Sequence, residues 1–219
     1  MRTSAIPSAT DFPAVIIAGG LSSRMGQDKS ALPLGTLSMI ERIIERLKPQ
    51  VAHISVNSNA VPPLLLPQGV TSFPDSVAGR LGPLAGVLSA LRHTSLAHPD
   101  KEAVITVPTD TPFFPTDLVS RLVAARKRND EIAIAHTSGT MHPIFGLWPV
   151  AIADDLEDFL LSDDKRRVRS FIARHPMVSV EFPVIETKAG PFDLFYNINT
   201  PADHAEAERW LALLETETP

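Results

Sequence analysis

The chain has 219 residues, 44% of them hydrophobic, enough to bury a sizeable core and too many for a disordered protein. Its 20 basic and 25 acidic side chains give a net charge of −5, which argues against a nucleic-acid surface. It has no cysteine, which excludes disulfides, thiolate metal sites and a cysteine nucleophile and is compatible with a cytoplasmic location; no apolar run reaches the roughly 20 residues of a membrane helix.

Residues 1–13, with one Arg and much Ser, Thr, Ala and Pro, read as a flexible leader, and 14–215 as a single domain. Ala14 to Ala18 is a short apolar run of the kind buried in a parallel sheet. Gly19 and Gly20 break it, and a polar loop follows with Gly26 inside it and Arg24 and Lys29 as its only cations. Ser38-Met-Ile-Glu41 has capping-box form, Ile40, Ile43, Ile44 and Leu47 keep helical spacing, and Pro49 ends that helix. Val51 to Val56 reads as a strand closed by Asn57-Ser58-Asn59, and a proline-rich connection leads to a short strand at Val70 to Phe73, before Asp75. Gly82-Pro83 opens a helix with Leu84, Val87, Leu88 and Leu91 as its stripe. Ala103 to Val107 is a buried strand followed by Pro108-Thr-Asp110-Thr-Pro112, and Thr116 is expected to cap the next helix. Ile132 to His136 and Met141 to Trp148 read as strands around a Ser138-Gly139 turn. Helices are expected near 151–161 and 166–174, strands near 178–182 and 192–196, and a last helix from Thr200-Pro201 to about Leu214.

Strands alternating with helices over the first ~125 residues imply right-handed βαβ units. The fold class is therefore α/β: a single Rossmann-like three-layer domain with a mostly parallel sheet. Ligands of such sheets bind beyond the carboxyl ends of the strands. Gly19-Gly20, Asn57, Asp75 and Asp110 all follow predicted strands, so they are expected on one rim.

The glycine loop brings backbone N–H groups close to a ligand and adds two cations, which suits a polyphosphate. It is neither a Walker A loop, since Gln27 follows Gly26, nor a dinucleotide fingerprint. Lys29 can hold departing phosphates as a flexible point charge, and Arg24 either joins it or bridges within the loop. Asp110 lies between prolines that set its direction, and a hard cation such as Mg²⁺ wants one or two carboxylates plus phosphate oxygens. Asn57 and Asp75 fit turn chemistry as well as contacts to a sugar or base. Arg166, Arg167 and Arg169 form a dense basic cluster, either a solvated face paired with Asp163 and Asp164 or a dock for a phosphorylated group.

The run from Ala18 to Lys29, A-G-G-x-S-x-R-M-G-x-D-K, resembles the signature of nucleotidyltransferases that move a nucleoside monophosphate onto a phosphorylated acceptor. It is most similar to the molybdenum cofactor guanylyltransferases. Val56-Asn57-Ser58-Asn59, Asp75 ahead of Gly82-Pro83-Leu84-Ala85-Gly86, the D-T-P at Asp110, His142-Pro143 and Asn197-Ile198-Asn199-Thr200-Pro201 extend the resemblance over residues 14–201. The resemblance implies transfer of GMP from GTP to molybdopterin, with Mg²⁺ as cofactor and pyrophosphate released. It implies Lys29, Asp110 and Arg24 as catalytic residues, and Ile17, Ala18, Gly19, Gly20, Lys29, Asn57, Asp75 and Asp110 as GTP-binding residues. Asp110 would hold the metal, and His142, Asn197 and Asn199 would lie toward the acceptor. It also implies molybdenum insertion proteins and recipient molybdoenzymes as partners, with no nucleic acid and no membrane. The alternatives are the same transfer with CTP, whose users tend to show A-A-G in place of Ala18-Gly19-Gly20, and a non-catalytic nucleotide-binding subunit. A longer leader and a short, proline-rich connection after Asn59 depart from the family pattern.

Overall fold

A computed structural model describes residues 11–18, 31–61, 64–77, 82–162 and 167–217. In chain order these form β1 (Ala14–Ile17), β2 (Pro33–Leu34), β3 (Leu37–Ser38), α1 (Met39–Leu47), β4 (Ile54–Asn57), β5 (Thr71–Phe73) and α2 (Pro83–Ala97). Then come β6 (Ala103–Pro108), α3 (Leu118–Ala125), β7 (Ile132–Thr137), β8 (Thr140–Pro149), α4 (Ala153–Ser162) and α5 (Val168–Ile172). The chain closes with β9 (Met177–Glu181), β10 (Ile185–Thr187), β11 (Gly190–Phe192) and α6 (Pro201–Glu217).

Seven strands make the central sheet in the order β5-β4-β1-β6-β8-β7-β9. The first four are parallel, β8 runs antiparallel to β6 and β7, and β9 is again parallel to β7. Strand alternation sorts the side chains into two cores. Ala14 and Ile16 of β1, with Ile54, Val56, Ile105 and Val107, face α1 and α3. Val15, Ile17 and Val104 face α2, α4 and α5. This is the expected three-layer α/β domain. Where the parallel and antiparallel halves meet, Trp148 Nε1 donates to Thr106 Oγ1 (2.9 Å), which donates to the Ile144 carbonyl (2.6 Å), so the buried polar atoms are satisfied.

A third, smaller core gathers Leu34, Met39, Phe113, Phe192, Ile198, Ala207 and Leu211 beneath the β2–β3 and β10–β11 hairpins and α6. The capping box at Ser38 forms as expected, with Glu41 Oε2 accepting from the Ser38 amide at 2.7 Å. So does the start of α6, where the Asp203 amide donates to Thr200 Oγ1 at 3.1 Å.

Some boundaries differ from expectation. The strand expected near 192–196 instead covers Gly190–Phe192, as β11. Asp193 Oδ1 accepts from the Phe195 amide at 2.8 Å, turning the chain just after β11, so Asn197 and Asn199 sit on a turn-linked segment. Asp117, not Thr116, occupies the N-cap of α3, without a side-chain cap bond. α5 is shorter than the expected 166–174; Arg167 is its N-cap, Arg169 lies within it, and Arg166 lies outside the described residues. Phe12 is already buried against the sheet, inside the segment read as leader, and residues 1–10 lie outside the described residues.

Candidate functional site

The register aligns the ends of four parallel strands. Ile17 of β1 pairs with Asn57 of β4 on one side and Pro108 of β6 on the other, and Asn57 pairs with Phe73 of β5. The chain leaves all four at one level, so Ala18, Ser58, Pro74 and Thr109 begin loops on the same rim. Strand order turns between β1 and β6, the switch point at which such sheets bind ligands. Asn57, Asp75 and Asp110 are therefore gathered as expected. Gly19, Gly20, Arg24 and Lys29 lie outside the described residues. Ile17 is buried and Ala18 half-buried, with the Ala18 amide bonded to the Asn57 carbonyl at 2.8 Å.

On the β4–β5 side, Asp75 is clamped. Asn57 Nδ2 donates to one of its carboxylate oxygens (3.0 Å) and Asn59 Nδ2 to the other (2.8 Å), while the Asp75 amide donates to Asn59 Oδ1 (2.9 Å). A carboxylate oxygen accepts more than one bond, so Asp75 keeps acceptor capacity in a fixed direction. Asn59, quoted in the Val56-Asn57-Ser58-Asn59 motif but not among the expected GTP-binding residues, is the second partner; its signal was the i, i+2 spacing from Asn57. Asn57 itself is fully buried, and its Oδ1 has no hydrogen-bond partner among the described residues. That oxygen points at α2, where a Cβ on Gly86 would stand 3.1 Å from it and 2.5 Å from Ile17 Cγ2. Gly86 is thus what lets the start of α2 close against the strand ends. Ser89 locks the same corner, accepting from the Ser76 amide (2.8 Å) and donating to the Ala85 carbonyl (2.7 Å).

On the β6–β8 side, Asp110 is half-buried in the loop that leaves β6. Thr111 Oγ1 donates to Asp110 Oδ1 at 3.2 Å, and the Ile198 amide donates to the Asp110 carbonyl at 2.8 Å. The second bond brings Asn197-Ile198-Asn199 alongside Asp110 across the chain. Asp203 Oδ2 holds this segment by accepting from the amides of Asn199 (2.9 Å) and Thr200 (2.8 Å). Two phenylalanines following Asp110 anchor its loop, Phe113 in the small core and Phe114 under the sheet.

His142 belongs to this side because β8 runs antiparallel and begins at the carboxyl end of β6. Its ring stacks on Phe195 (centroids 4.3 Å, 12° between planes), and Phe145 and Phe182 meet the same phenylalanine edge-on at 4.9 and 5.4 Å. Burial holds the imidazole below the ordinary histidine range, outweighing the upward pull of Asp193. His142 Nε2 is buried with no hydrogen-bond partner among the described residues. The structure therefore joins His142 to the Asn197–Asn199 segment through Phe195, which the sequence did not point to.

A family model described as the MobA-like NTP transferase domain matches residues 14–179. A molybdenum cofactor guanylyltransferase of Rhizobium meliloti is 54% identical over 217 residues, covering 99% of this chain and 100% of the relative. The chain belongs to the molybdenum cofactor guanylyltransferase family. Its family fold is found in the crystal structure of molybdopterin-guanine dinucleotide biosynthesis protein A from Archaeoglobus fulgidus (TM-score 0.68, 22% identity, 92% of this chain and 99% of that one). A Mycobacterium tuberculosis protein solved as a complex with manganese is also similar (TM-score 0.61, 16% identity, 90% of this chain and 97% of that one). The chain is a nucleotidyltransferase of this family, and no helix among the described residues is long and apolar enough to cross a membrane.

Proposed function

We propose that the chain transfers GMP from GTP to the terminal phosphate of molybdopterin, forming the guanine dinucleotide cofactor and releasing pyrophosphate. The observation that carries the guanine assignment is the Asp75 carboxylate, fixed by Asn57 and Asn59 beside the start of α2. A carboxylate so aimed accepts from N1–H and N2–H₂ of guanine, a donor pair that cytosine and adenine lack. The name and full-length identity of the Rhizobium meliloti relative support the same substrate pair.

The acceptor phosphate attacks the α-phosphorus in line with the departing pyrophosphate. This needs no covalent enzyme intermediate, so the protein contributes positioning and charge neutralisation. Ile17, Ala18, Gly19 and Gly20 would bind the triphosphate, and Lys29, aided by Arg24, would balance charge on the leaving group. The Asp110 carboxylate is the kind of oxygen donor that would suit a hard divalent cation shared with phosphate groups. Asp110 would hold Mg²⁺, which would supply neutralisation of the phosphate charge. His142, Asn197 and Asn199 would lie toward the acceptor, with the neutral imidazole serving as a hydrogen-bond group and not as a charge. We assign the reaction to the cytoplasm, with molybdenum insertion proteins and recipient molybdoenzymes downstream.

Calorimetric titration with Mg²⁺ tests the base. GTP is expected to bind at least about tenfold tighter than CTP or ATP, since a site that pairs a base edge leaves its acceptor unpaired with the wrong base. Equal affinities overturn the guanylyl assignment.

A further inference from the structure

Helix α2 carries two lines of residues. Leu84, Val87, Leu88 and Leu91 enter the core on its side of the sheet. Gly86, Ser89 and His93 follow a second line at helical spacing, and each of them meets a strand end or the chain around Asp75. Gly86 lies against Ile17 and Asn57. Ser89 is buried in the helix interior, where alanine serves the helix better. Its proton goes back to the Ala85 carbonyl, which leaves the oxygen two acceptor positions. The Ser76 amide fills one at 2.8 Å, and the Ser76 hydroxyl, 3.3 Å away, fills the other as donor. His93 lays its ring flat on Phe73, with centroids 3.9 Å apart and 6° between planes.

Phe73 and Ser76 bracket Asp75. Asn57 and Asn59 hold its carboxylate, while α2 holds the backbone that carries it, through the ring before and the amide after. The consecutive amides of Asp75 and Ser76 are thus tied to different elements, one to Asn59 beyond β4 and one to Ser89 of α2. We propose that Ser89 and His93 determine base specificity as positioning residues, aiming the Asp75 carboxylate at the base edge through Ser76 and Phe73. The proposal rests on the guanine reading above. A carboxylate that accepts from N1–H and N2–H₂ together must keep both oxygens in line with that edge, so a small rotation of residues 73–76 costs one of the two bonds. Lost aim is therefore read as lost preference for the N2 amine, and not as a general loss of nucleotide affinity.

The test is calorimetric titration with Mg²⁺ of GTP, of inosine triphosphate, which lacks only the N2 amine, and of CTP, with Tm measured on every variant. The wild-type chain should bind GTP about tenfold tighter than inosine triphosphate, the size of one hydrogen bond to a charged group. Ser89→Ala and His93→Ala should each narrow that ratio to about threefold or less, with CTP affinity changed less than about twofold. His93→Phe keeps a flat ring and should restore the wild-type ratio. In an Asp75→Ala background, Ser89→Ala should leave the ratio where it is. His93 is half-buried, so its substitution reads the ratio even where Ser89→Ala lowers Tm. Parallel losses for all three nucleotides, or a lowered Tm with the ratio intact, make this line of α2 a structural support only and overturn the proposal. A Ser89→Ala effect on the ratio that persists without Asp75 overturns it as well. Equal binding of all three nucleotides by the wild-type chain overturns the guanine reading itself, whereas a wild-type preference that both alanine variants keep overturns only the role of α2.

Discussion

The two sides of the strand-end rim are built in opposite ways. The β4–β5 side is local: Asn57, Asn59 and Asp75 lie within 19 residues of sequence and are joined directly by hydrogen bonds of their side chains. The β6–β8 side is assembled from distant pieces, with Asp110 bonded to Ile198 and His142 stacked on Phe195. A local clamp of this kind can lose one member and keep the other bond. A site gathered from three segments depends on the packing that gathers them, so damage to that packing should spread to chemistry.

The largest expected effect breaks the assembled side at its hub. Phe195→Ala removes the ring on which His142, Phe145 and Phe182 converge and should cost about 3–5 kcal/mol, measured by urea denaturation. A loss under about 1 kcal/mol would mean that the aromatic cluster does not hold the segment.

Next comes Asp110→Asn, which keeps shape and removes charge. Dinucleotide formation should fall about 10²-fold, roughly 2.7 kcal/mol of barrier, while GTP still binds. Unchanged turnover would move the metal elsewhere.

On the clamped side the expectation is milder. Asn59→Ala leaves Asp75 one donor from Asn57, so GTP affinity should drop about tenfold and discrimination against CTP should narrow, with stability changed by at most about 1 kcal/mol. A stability loss as large as that of Phe195→Ala would erase the contrast between the two sides.

The smallest effect is a pH dependence. Burial depresses the folded pKa of His142 below the unfolded value of about 6.5. The unfolded chain therefore takes up the proton first, and stability falls as pH drops below about 6.5 toward the folded pKa. His136, Glu181 and Asp193 are the charged groups that act on it. His93 and His98 are shifted in the same direction by burial, so His142→Phe should flatten the slope between pH 5 and 7 without abolishing it. An unchanged slope would show the imidazole to be no more buried than in the unfolded chain.

The same contrast explains what could be read from the residues alone. Strand ends, the Ser38–Glu41 capping box, the Ser138-Gly139 hairpin and the rim of Asn57, Asp75 and Asp110 all follow from neighbours within a few residues. The run Phe192-Asp-Leu-Phe-Tyr196 misled because aromatic residues favour strands. Here Asp193 turns the chain, and the rings go to separate cores: Phe192 into the small one with Trp210, Phe195 under the sheet. The two-residue strands β2 and β3 were equally hidden, since they are held by contacts to α6 more than 160 residues away. Lys29, Arg24 and the glycine loop, the most legible motif in the sequence, lie outside the described residues.

The bond from the Ile198 amide to the Asp110 carbonyl also sets an order of events during synthesis. Every strand of the central sheet has left the ribosome once Glu181 has, and domains generally fold from the amino end as they emerge. A nascent chain can thus complete its sheet and its Asp75 clamp while its Asp110 loop still lacks the tie that comes from residue 198. On the role proposed for Asp110, competence for transfer would wait for residue 198, and a ribosome stalled before it would carry a folded sheet with the Asp110 loop untied.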